Sequence, residues 1–163
     1  MTQIISAAGV ATITAHGKRQ IAASMHGKGK AFVVAHLLLK RQINDEPGQY
    51  VVLNLLAQGV EITLKSFLLL RDYDKYRPKL EKPLGHDLAE TARVTLEAFA
   101  LKPLREPLNS DLVHLSDIYA KHLLRYGNLR DILVAPSSIS SDHVLRRVAA
   151  SIRLAERELK RAG

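Results

Sequence analysis

The segment at residues 49–73 constrains the fold more than any other part of the chain, because its polar residues share one side of a helix. They are separated by four, three, four and seven positions: Asn54, Gln58, Glu61, Lys65 and Asp72. These spacings trace one stripe of an α-helix, and the rest of the segment is mostly apolar. A helix with such a wide apolar surface packs against several neighbours, so we expect it at the centre of a bundle.

Four other segments are predicted to be helical from their apolar spacing and from their start and stop residues. One begins near Ala31, and another follows Asp87, whose position three residues before Glu90 favours a reciprocal cap of the first turn. A further helix carries an inward stripe at spacings of three and four: Leu112, Leu115, Tyr119, His122 and Tyr126. The last helix begins after Ser141 and extends towards the end of the chain.

Residues 1–30 contain four glycines and show no sustained helical period, which favours an irregular N-terminal arm. No segment alternates apolar and polar residues strongly enough to build a sheet. The sequence therefore predicts an all-α fold, an antiparallel up-and-down bundle of four to five helices at residues 31–163, preceded by the irregular arm.

The chain is basic, with a formal net charge of +8, and its positive charge is concentrated towards both ends. Residues 1–41 carry six bases and no acid, and residues 142–163 carry six bases against three acids. Clustered bases attract polyanions, so one interpretation is contact with RNA or an acidic protein, and the other is a basic surface kept for solubility. Aromatic residues make up only 5% of the chain, which argues against a stacking platform for single-stranded nucleic acid.

Cysteine is absent, which excludes a disulfide framework, a thiolate metal site and a cysteine nucleophile. Polar residues interrupt the longest apolar region, so no membrane-spanning helix is expected, and a cytoplasmic location fits best. The seven histidines show no spacing typical of a metal site. Phosphate-loop, dinucleotide and nucleophile-elbow motifs do not occur either, so neither a metal nor a cofactor is expected.

One set of polar residues is a candidate for binding in a groove between helices. Glu61 and Lys65 have the spacing of an ordinary surface ion pair, or of a polar strip that lines such a groove. His86 at a helix start and His122 on an apolar stripe are interpreted more simply as a cap and a hydrogen-bonded core residue. The candidate groove or partner-binding residues are Glu61, Lys65, His86, His114, Lys121, His122 and Arg125.

The last predicted helix carries bases on the side opposite its apolar stripe, and these are the candidate contacts to nucleic acid: Arg146, Arg153, Arg157 and Lys160. Such a row of cations could follow the phosphates of a nucleic acid, or it could serve only to keep the helix solvated.

Residues 57–69, in which Glu61 precedes Lys65, are followed after a loop by the tetrapeptide Gly-His-Asp-Leu at residues 85–88. This arrangement resembles the HEPN-like helical domains of prokaryotes, in which a helix bearing Glu and Lys four residues apart precedes a Gly-His-Asp-Leu helix start. The resemblance covers about residues 49–127. It implies an antiparallel bundle of four or five helices that is often dimeric, so a homodimer is expected.

Many HEPN-like proteins are metal-independent ribonucleases, whose signature is an Arg followed after four to six residues by a His. Two Arg–His pairs of this chain have eight intervening residues, and the pair with the family's spacing, Arg19 and His26, lies in the predicted arm. We therefore expect a non-catalytic HEPN-like bundle that binds a protein partner or RNA through a basic surface. The alternative is a metal-independent ribonuclease of toxin or phage-defence type with an Arg–His site at a dimer interface, in which His86, His114 and His122 are the candidate acid–base residues.

Overall fold

The computed structural model describes residues 13–106, 108–121 and eight positions of a C-terminal segment, namely 144–146, 149, 150, 153, 156 and 157. The described residues form helices and turns and no strand, which confirms the all-α bundle. The helices are α1 (Ala15–Leu39), α2 (Glu46–Arg71), α3 (Tyr73–Tyr76), α4 (Leu88–Ala98) and α5 (Leu108–Ala120), with a 3-10 turn at Arg77–Lys79. Each described position of the C-terminal segment is also helical.

Helix α1 begins sixteen residues before the predicted start near Ala31, because Thr14 caps it and accepts a hydrogen bond from the Gly17 amide at 3.1 Å. The prediction of an irregular arm at residues 1–30 is therefore wrong for residues 15–30, and residues 1–12 lie outside the described chain. Glycine costs about 1 kcal/mol relative to alanine in a helix, and this cost suggested the arm. Packing against α2 outweighs it.

Helices α1 and α2 form an antiparallel pair, as predicted for the bundle. His36 near the end of α1 contacts Val52 near the start of α2, with 2.8 Å between its Nδ1 atom and the Val52 carbonyl oxygen. Lys18 near the start of α1 reaches Asp74, just beyond the end of α2, at 2.6 Å. The C-terminal end of each helix therefore lies beside the N-terminal end of the other.

The two helices approach closely where glycines face each other. A Cβ atom placed on Gly59 would lie 2.9 Å from the Val33 backbone nitrogen and 3.1 Å from the Gly29 carbonyl oxygen. A Cβ atom on Gly29 would lie 2.8 Å from the Thr63 backbone nitrogen. Side chains larger than hydrogen would therefore separate the backbones, so Gly29 and Gly59 permit the close contact between the two helices.

Helix α2 is the central element, as its polar stripe predicts, and it contacts α1, α3, α4 and α5. Asp45 caps it by accepting a hydrogen bond from the Gly48 amide at 3.0 Å, and Pro47 lies in its first turn. By length and composition, Pro47–Arg71 could also cross a membrane, but 72% of its most apolar window is buried inside the protein. The core helix of a water-soluble protein has the same properties.

The core consists mainly of two clusters that share α2. The first cluster lies between α2, α4 and α5 and includes Leu53, Leu56, Val60, Leu64, Leu88, Leu112, Leu115, Tyr119 and, from the C-terminal segment, Val144. The second lies at the other end of α2 and contains Ala22, Leu68, Leu69, Tyr76, Leu80 and Leu84.

Asp87 caps α4 as predicted, accepting a hydrogen bond from the Glu90 amide at 2.9 Å. The reciprocal half of the predicted cap is not formed, because the Asp87 amide donates to the Leu84 carbonyl and the Glu90 carboxylate binds Arg93. One side of α4 is buried and consists of Leu88, Thr91, Ala92, Thr95 and Leu96. On α5, the predicted stripe is buried at Leu112, Leu115 and Tyr119, and its continuation to His122 and Tyr126 falls outside the described residues.

Candidate functional site

The structure brings three predicted site residues together in one polar network, and adds Tyr119 to them. The Glu61 carboxylate accepts a hydrogen bond from Lys65 Nζ at 2.7 Å on one oxygen and from the Tyr119 hydroxyl at 2.6 Å on the other. His86 Nδ1 lies 3.2 Å from the same oxygen that Tyr119 contacts. Lys65 also donates to the Gly85 carbonyl oxygen. The network therefore joins α2 to the turn before α4 and to α5.

The Glu61–Lys65 pair is buried, so its interpretation as an ordinary surface ion pair is wrong. The two residues are only 7% and 6% exposed. Burial alone would raise the pKa of the Glu61 carboxyl, but hydrogen bonds from Lys65 and Tyr119 and the charge of Lys65 outweigh this effect. With a further hydrogen bond from His86, they hold the pKa of Glu61 below its usual value.

His86 is the part of this network that reaches solvent, since 44% of its side chain is exposed. Its ring packs edge-on against Tyr119, with 5.6 Å between the ring centroids, and its Nδ1 atom contacts the buried carboxylate. A carboxylate at Nδ1 fixes the orientation of an imidazole. The network can therefore hold His86 in a defined position at the surface. Glu61, Lys65 and Tyr119 connect α2 to α5 and to the turn before α4 through hydrogen bonds.

The sequence did not predict that Tyr119 belongs to a polar network, because the residue lies on the apolar stripe of α5. A buried tyrosine hydroxyl needs a hydrogen-bond partner, and this requirement could have indicated its role. His114 and Lys121 are exposed on and just after α5. Lys121 pairs with Asp117 at 2.7 Å, and neither residue joins the network among the contacts of the described chain. His122 and Arg125 lie outside the described residues.

A second polar cluster, which the sequence did not suggest, lies where α1 meets the C-terminal segment. Glu156 Oε1 lies 3.1 Å from His26 Nε2 and 3.1 Å from Lys30 Nζ. His26 Nδ1 lies 3.3 Å from the Ser66 hydroxyl on α2, and its ring packs edge-on against Phe67 at 4.8 Å. We call His26, Lys30 and Glu156 the anion cluster, because two basic side chains surround one carboxylate.

The two partners of His26 both act as hydrogen-bond acceptors. The Ser66 hydroxyl donates its single proton to the Thr63 carbonyl at 2.6 Å, so it can only accept from His26. The Glu156 carboxylate also accepts, and a hydrogen bond to each partner requires a proton on both ring nitrogens. The ring therefore satisfies both contacts only when it is charged. Burial and then the charge of Lys30 hold the pKa of His26 below its ordinary value, and the hydrogen bond and charge of Glu156 offset only part of this effect, so the charged form becomes more populated as the pH falls.

Glu156 keeps its negative charge in this cluster. Burial alone would raise the pKa of its carboxyl, but the hydrogen bond and charge of Lys30, followed by the bond and charge of His26, lower it below the usual value. Its side chain is 36% exposed and that of Lys30 is 54% exposed, so the cluster opens to solvent.

The two basic ends of the sequence meet at the anion cluster. Helix α1 contains no acidic residue, and Arg19, Lys28 and Lys30 on it are exposed. The C-terminal segment contributes its own exposed bases, Arg146, Arg153 and Arg157, whereas Lys160 lies outside the described residues. Glu156 contacts α1 directly, and Arg153 and Arg157 lie within one helical turn of it on the same segment. Arg19 lies on the same side of α1 as His26, and we call the surface formed by Arg19, Arg153 and Arg157 the composite basic surface.

Two open grooves flank α4, away from both polar clusters. One, of about 360 Å³, lies towards α5 and is mainly apolar, and the other, of about 390 Å³, lies towards the turn after α3. Arg93 and Glu97 line both grooves, but Glu61, His86 and His26 line neither. Among the residues that the structure describes, no group of three or more metal-ligating side chains occurs.

Comparison with protein-family models, with curated proteins and with solved structures finds no match to this chain.

Proposed function

We propose that the protein is a non-catalytic, HEPN-like helical bundle that binds RNA through the composite basic surface. One observation carries this proposal: the contact of Glu156 with His26 and Lys30 at 3.1 Å joins basic groups from opposite ends of the chain. Two adjacent helical segments then present Arg19, Arg153 and Arg157 to the same ligand. Cations distributed over neighbouring helices match the spaced charges of a polyphosphate backbone.

The chemistry of the surface favours contacts to phosphates rather than to bases. Phenylalanine and tyrosine side chains in the described residues are buried or half-buried, so none is available there as a fully exposed stacking platform. Exposed Lys and Arg side chains, by contrast, recognise phosphate oxygens without regard to sequence. The expected ligand is therefore structured RNA that is bound through its backbone, and the expected affinity depends strongly on salt.

Electrophoretic mobility of a labelled RNA duplex across a salt series tests this proposal. Wild-type protein should retard the RNA at low salt, and the logarithm of the binding constant should fall linearly with the logarithm of salt concentration, by roughly 0.7–0.9 per phosphate contact. The double variant Arg153→Gln/Arg157→Gln should lower the affinity. The matched control Lys102→Gln/Arg105→Gln removes the same charge from exposed residues between α4 and α5 and should have a smaller effect. Absence of binding at low salt would exclude the proposal.

A metal-independent ribonuclease is the second candidate, because Arg19 and His26 both lie on α1. Seven positions correspond to nearly two helical turns, so the two residues project from the same side of the helix. An imidazole can exchange a proton with a ribose hydroxyl while a guanidinium binds the phosphate. This candidate predicts RNA cleavage in the presence of EDTA that is lost in His26→Ala. Intact RNA after prolonged incubation with folded wild-type protein would end it.

A further inference from the structure

The side chains of His26 and Lys30 surround a carboxylate in the way that a protein surrounds a bound phosphate. Both point at the single oxygen Glu156 Oε1, each at 3.1 Å. Phe67 packs on the edge of the imidazole and Ser66 accepts from its other nitrogen, so the ring is held in place from α2 and not by Glu156 alone. The basic half of the cluster is therefore anchored independently of the carboxylate.

We propose that His26 and Lys30 form a phosphate-binding subsite that the chain's own Glu156 occupies in the free protein, and that an RNA phosphate displaces this carboxylate on binding. The inference rests on the proposed RNA binding for its biological ligand. A phosphate oxygen offers the same acceptor geometry as the carboxylate oxygen and carries as much charge or more. Glu156 acts as an internal competitor, which keeps the subsite neutralised until a polyanion is present.

Three features of the structure are consistent with exchange of the anion. The Glu156 side chain is 36% exposed and Lys30 is 54% exposed, so a ligand can reach the subsite from solvent. Partly exposed ion pairs contribute little to stability, so a ligand can replace the Lys30–Glu156 pair at low cost. Arg153 and Arg157 are exposed on the same segment as Glu156 and would be available to the phosphates that flank the displacing one.

The subsite should bind its anion more tightly as the pH falls, because both ring nitrogens of His26 must donate. The charged groups that face the imidazole are Lys30 from α1 and Glu156 from the C-terminal segment. Helix α2 contributes Ser66 and Phe67, which carry no titratable group at physiological pH.

Substitution of the internal competitor tests the inference. Glu156→Gln should bind the RNA duplex more tightly than wild type, on the order of threefold to tenfold for one additional charge-assisted phosphate contact. The matched control Asp117→Asn changes the net charge equally at an exposed site on α5 and should give a smaller gain. In the double variant Lys30→Gln/Glu156→Gln, the part of the affinity gain that exceeds that of Asp117→Asn should be lost. Equal affinities for Glu156→Gln and Asp117→Asn would overturn the inference while leaving RNA binding intact.

A titration with inorganic phosphate separates this inference from the proposed function. The NMR signals of the His26 imidazole nitrogens in Glu156→Gln should shift saturably as phosphate is added, and the same titration of wild-type protein should require several times more phosphate. This result would support the subsite even if the wild-type protein did not bind RNA. A Glu156→Gln protein whose His26 signals do not respond to phosphate would overturn it, whatever the RNA measurements give.

Discussion

At the scale of single residues, Glu61 shows how a charged side chain can be kept inside a helical bundle. Both of its oxygens are occupied, one by Lys65 and the other by Tyr119 and His86. A buried carboxylate without such partners would take up a proton or destabilise the fold. The three donors come from α2, α5 and the turn before α4, so the carboxylate also fixes the relative positions of these elements.

Removal of one donor from this carboxylate should destabilise the protein measurably. Tyr119→Phe keeps the buried ring but leaves one Glu61 oxygen without its shortest hydrogen bond, at an expected cost of about 1–3 kcal/mol in the free energy of unfolding. The control Tyr73→Phe removes the hydroxyl of a half-buried tyrosine and should change the stability by less than about 0.5 kcal/mol. Urea unfolding followed by circular dichroism measures both changes. Equal effects of the two substitutions would contradict the role given to Tyr119.

The lowered pKa of Glu61 makes the stability depend on pH in a defined direction. Because the pKa is lower in the folded protein than its ordinary value of 4.5, the stabilisation is complete above that value and is lost as the pH falls through the folded pKa. The unfolding free energy of wild-type protein should therefore decrease in acid, and Glu61→Gln should show a smaller decrease. Glu81→Gln, at an exposed position, is the control and should retain the wild-type profile. A Glu61→Gln profile parallel to that of wild type would contradict this assignment.

At the scale of elements, α1 is a helix whose own propensity is weak and whose stability comes from its contact with α2. It contains Gly17, Gly27 and Gly29, which lower its helix propensity. Gly29 faces α2 and lies against Thr63, whereas a Cβ atom on Gly27 would meet no neighbouring atom within 4 Å. The glycines of one helix therefore have different roles, and only a tertiary contact distinguishes them.

Alanine substitutions should separate these roles. Gly59→Ala places a methyl group 2.9 Å from the Val33 backbone nitrogen, so overpacking should outweigh the gain in propensity and lower the unfolding free energy by about 1–3 kcal/mol. Gly27→Ala adds a methyl group in open space and should raise the stability by up to about 1 kcal/mol. Thermal or urea unfolding measures both signs. A stabilising Gly59→Ala would show that the two helices do not approach as closely as the structure indicates.

At the scale of the whole molecule, the two core clusters share α2 and cannot lose their packing independently. Leu64 belongs to the first cluster and Leu68 to the second, one helical turn apart on the same helix. Helix α4 also contacts both, through Leu88 in the first and Val94 beside the second. We therefore expect the bundle to unfold as one cooperative unit.

Cavity-forming substitutions in each cluster test this cooperativity. Leu115→Ala in the first cluster and Leu84→Ala in the second should each lower the unfolding free energy by about 2–5 kcal/mol. In both variants, circular dichroism and tyrosine fluorescence should report one coincident transition at a lower urea concentration. Two separate transitions in either variant would show that the clusters fold as independent units.

The helical class, the central position of α2 and the Asp87 cap could be predicted from the sequence, because they depend on local spacing. The stripe formed by Asn54, Gln58, Glu61 and Lys65 specifies a helix whatever surrounds it. The charge excess at both ends was likewise visible, since charge is a property of the residues alone.

The start of α1, the burial of Glu61 and Lys65, and the contact of His26 and Lys30 with Glu156 depend on helix packing and could not be predicted from the sequence. The start of α1 depends on the packing of its glycines against α2, and local helix propensity does not include this contact. The others join residues far apart in the chain, with separations of 58 positions for Glu61 and Tyr119 and 130 for His26 and Glu156. Sequence periodicity identifies the face of a helix on which a side chain lies, but helix packing decides which distant group meets it.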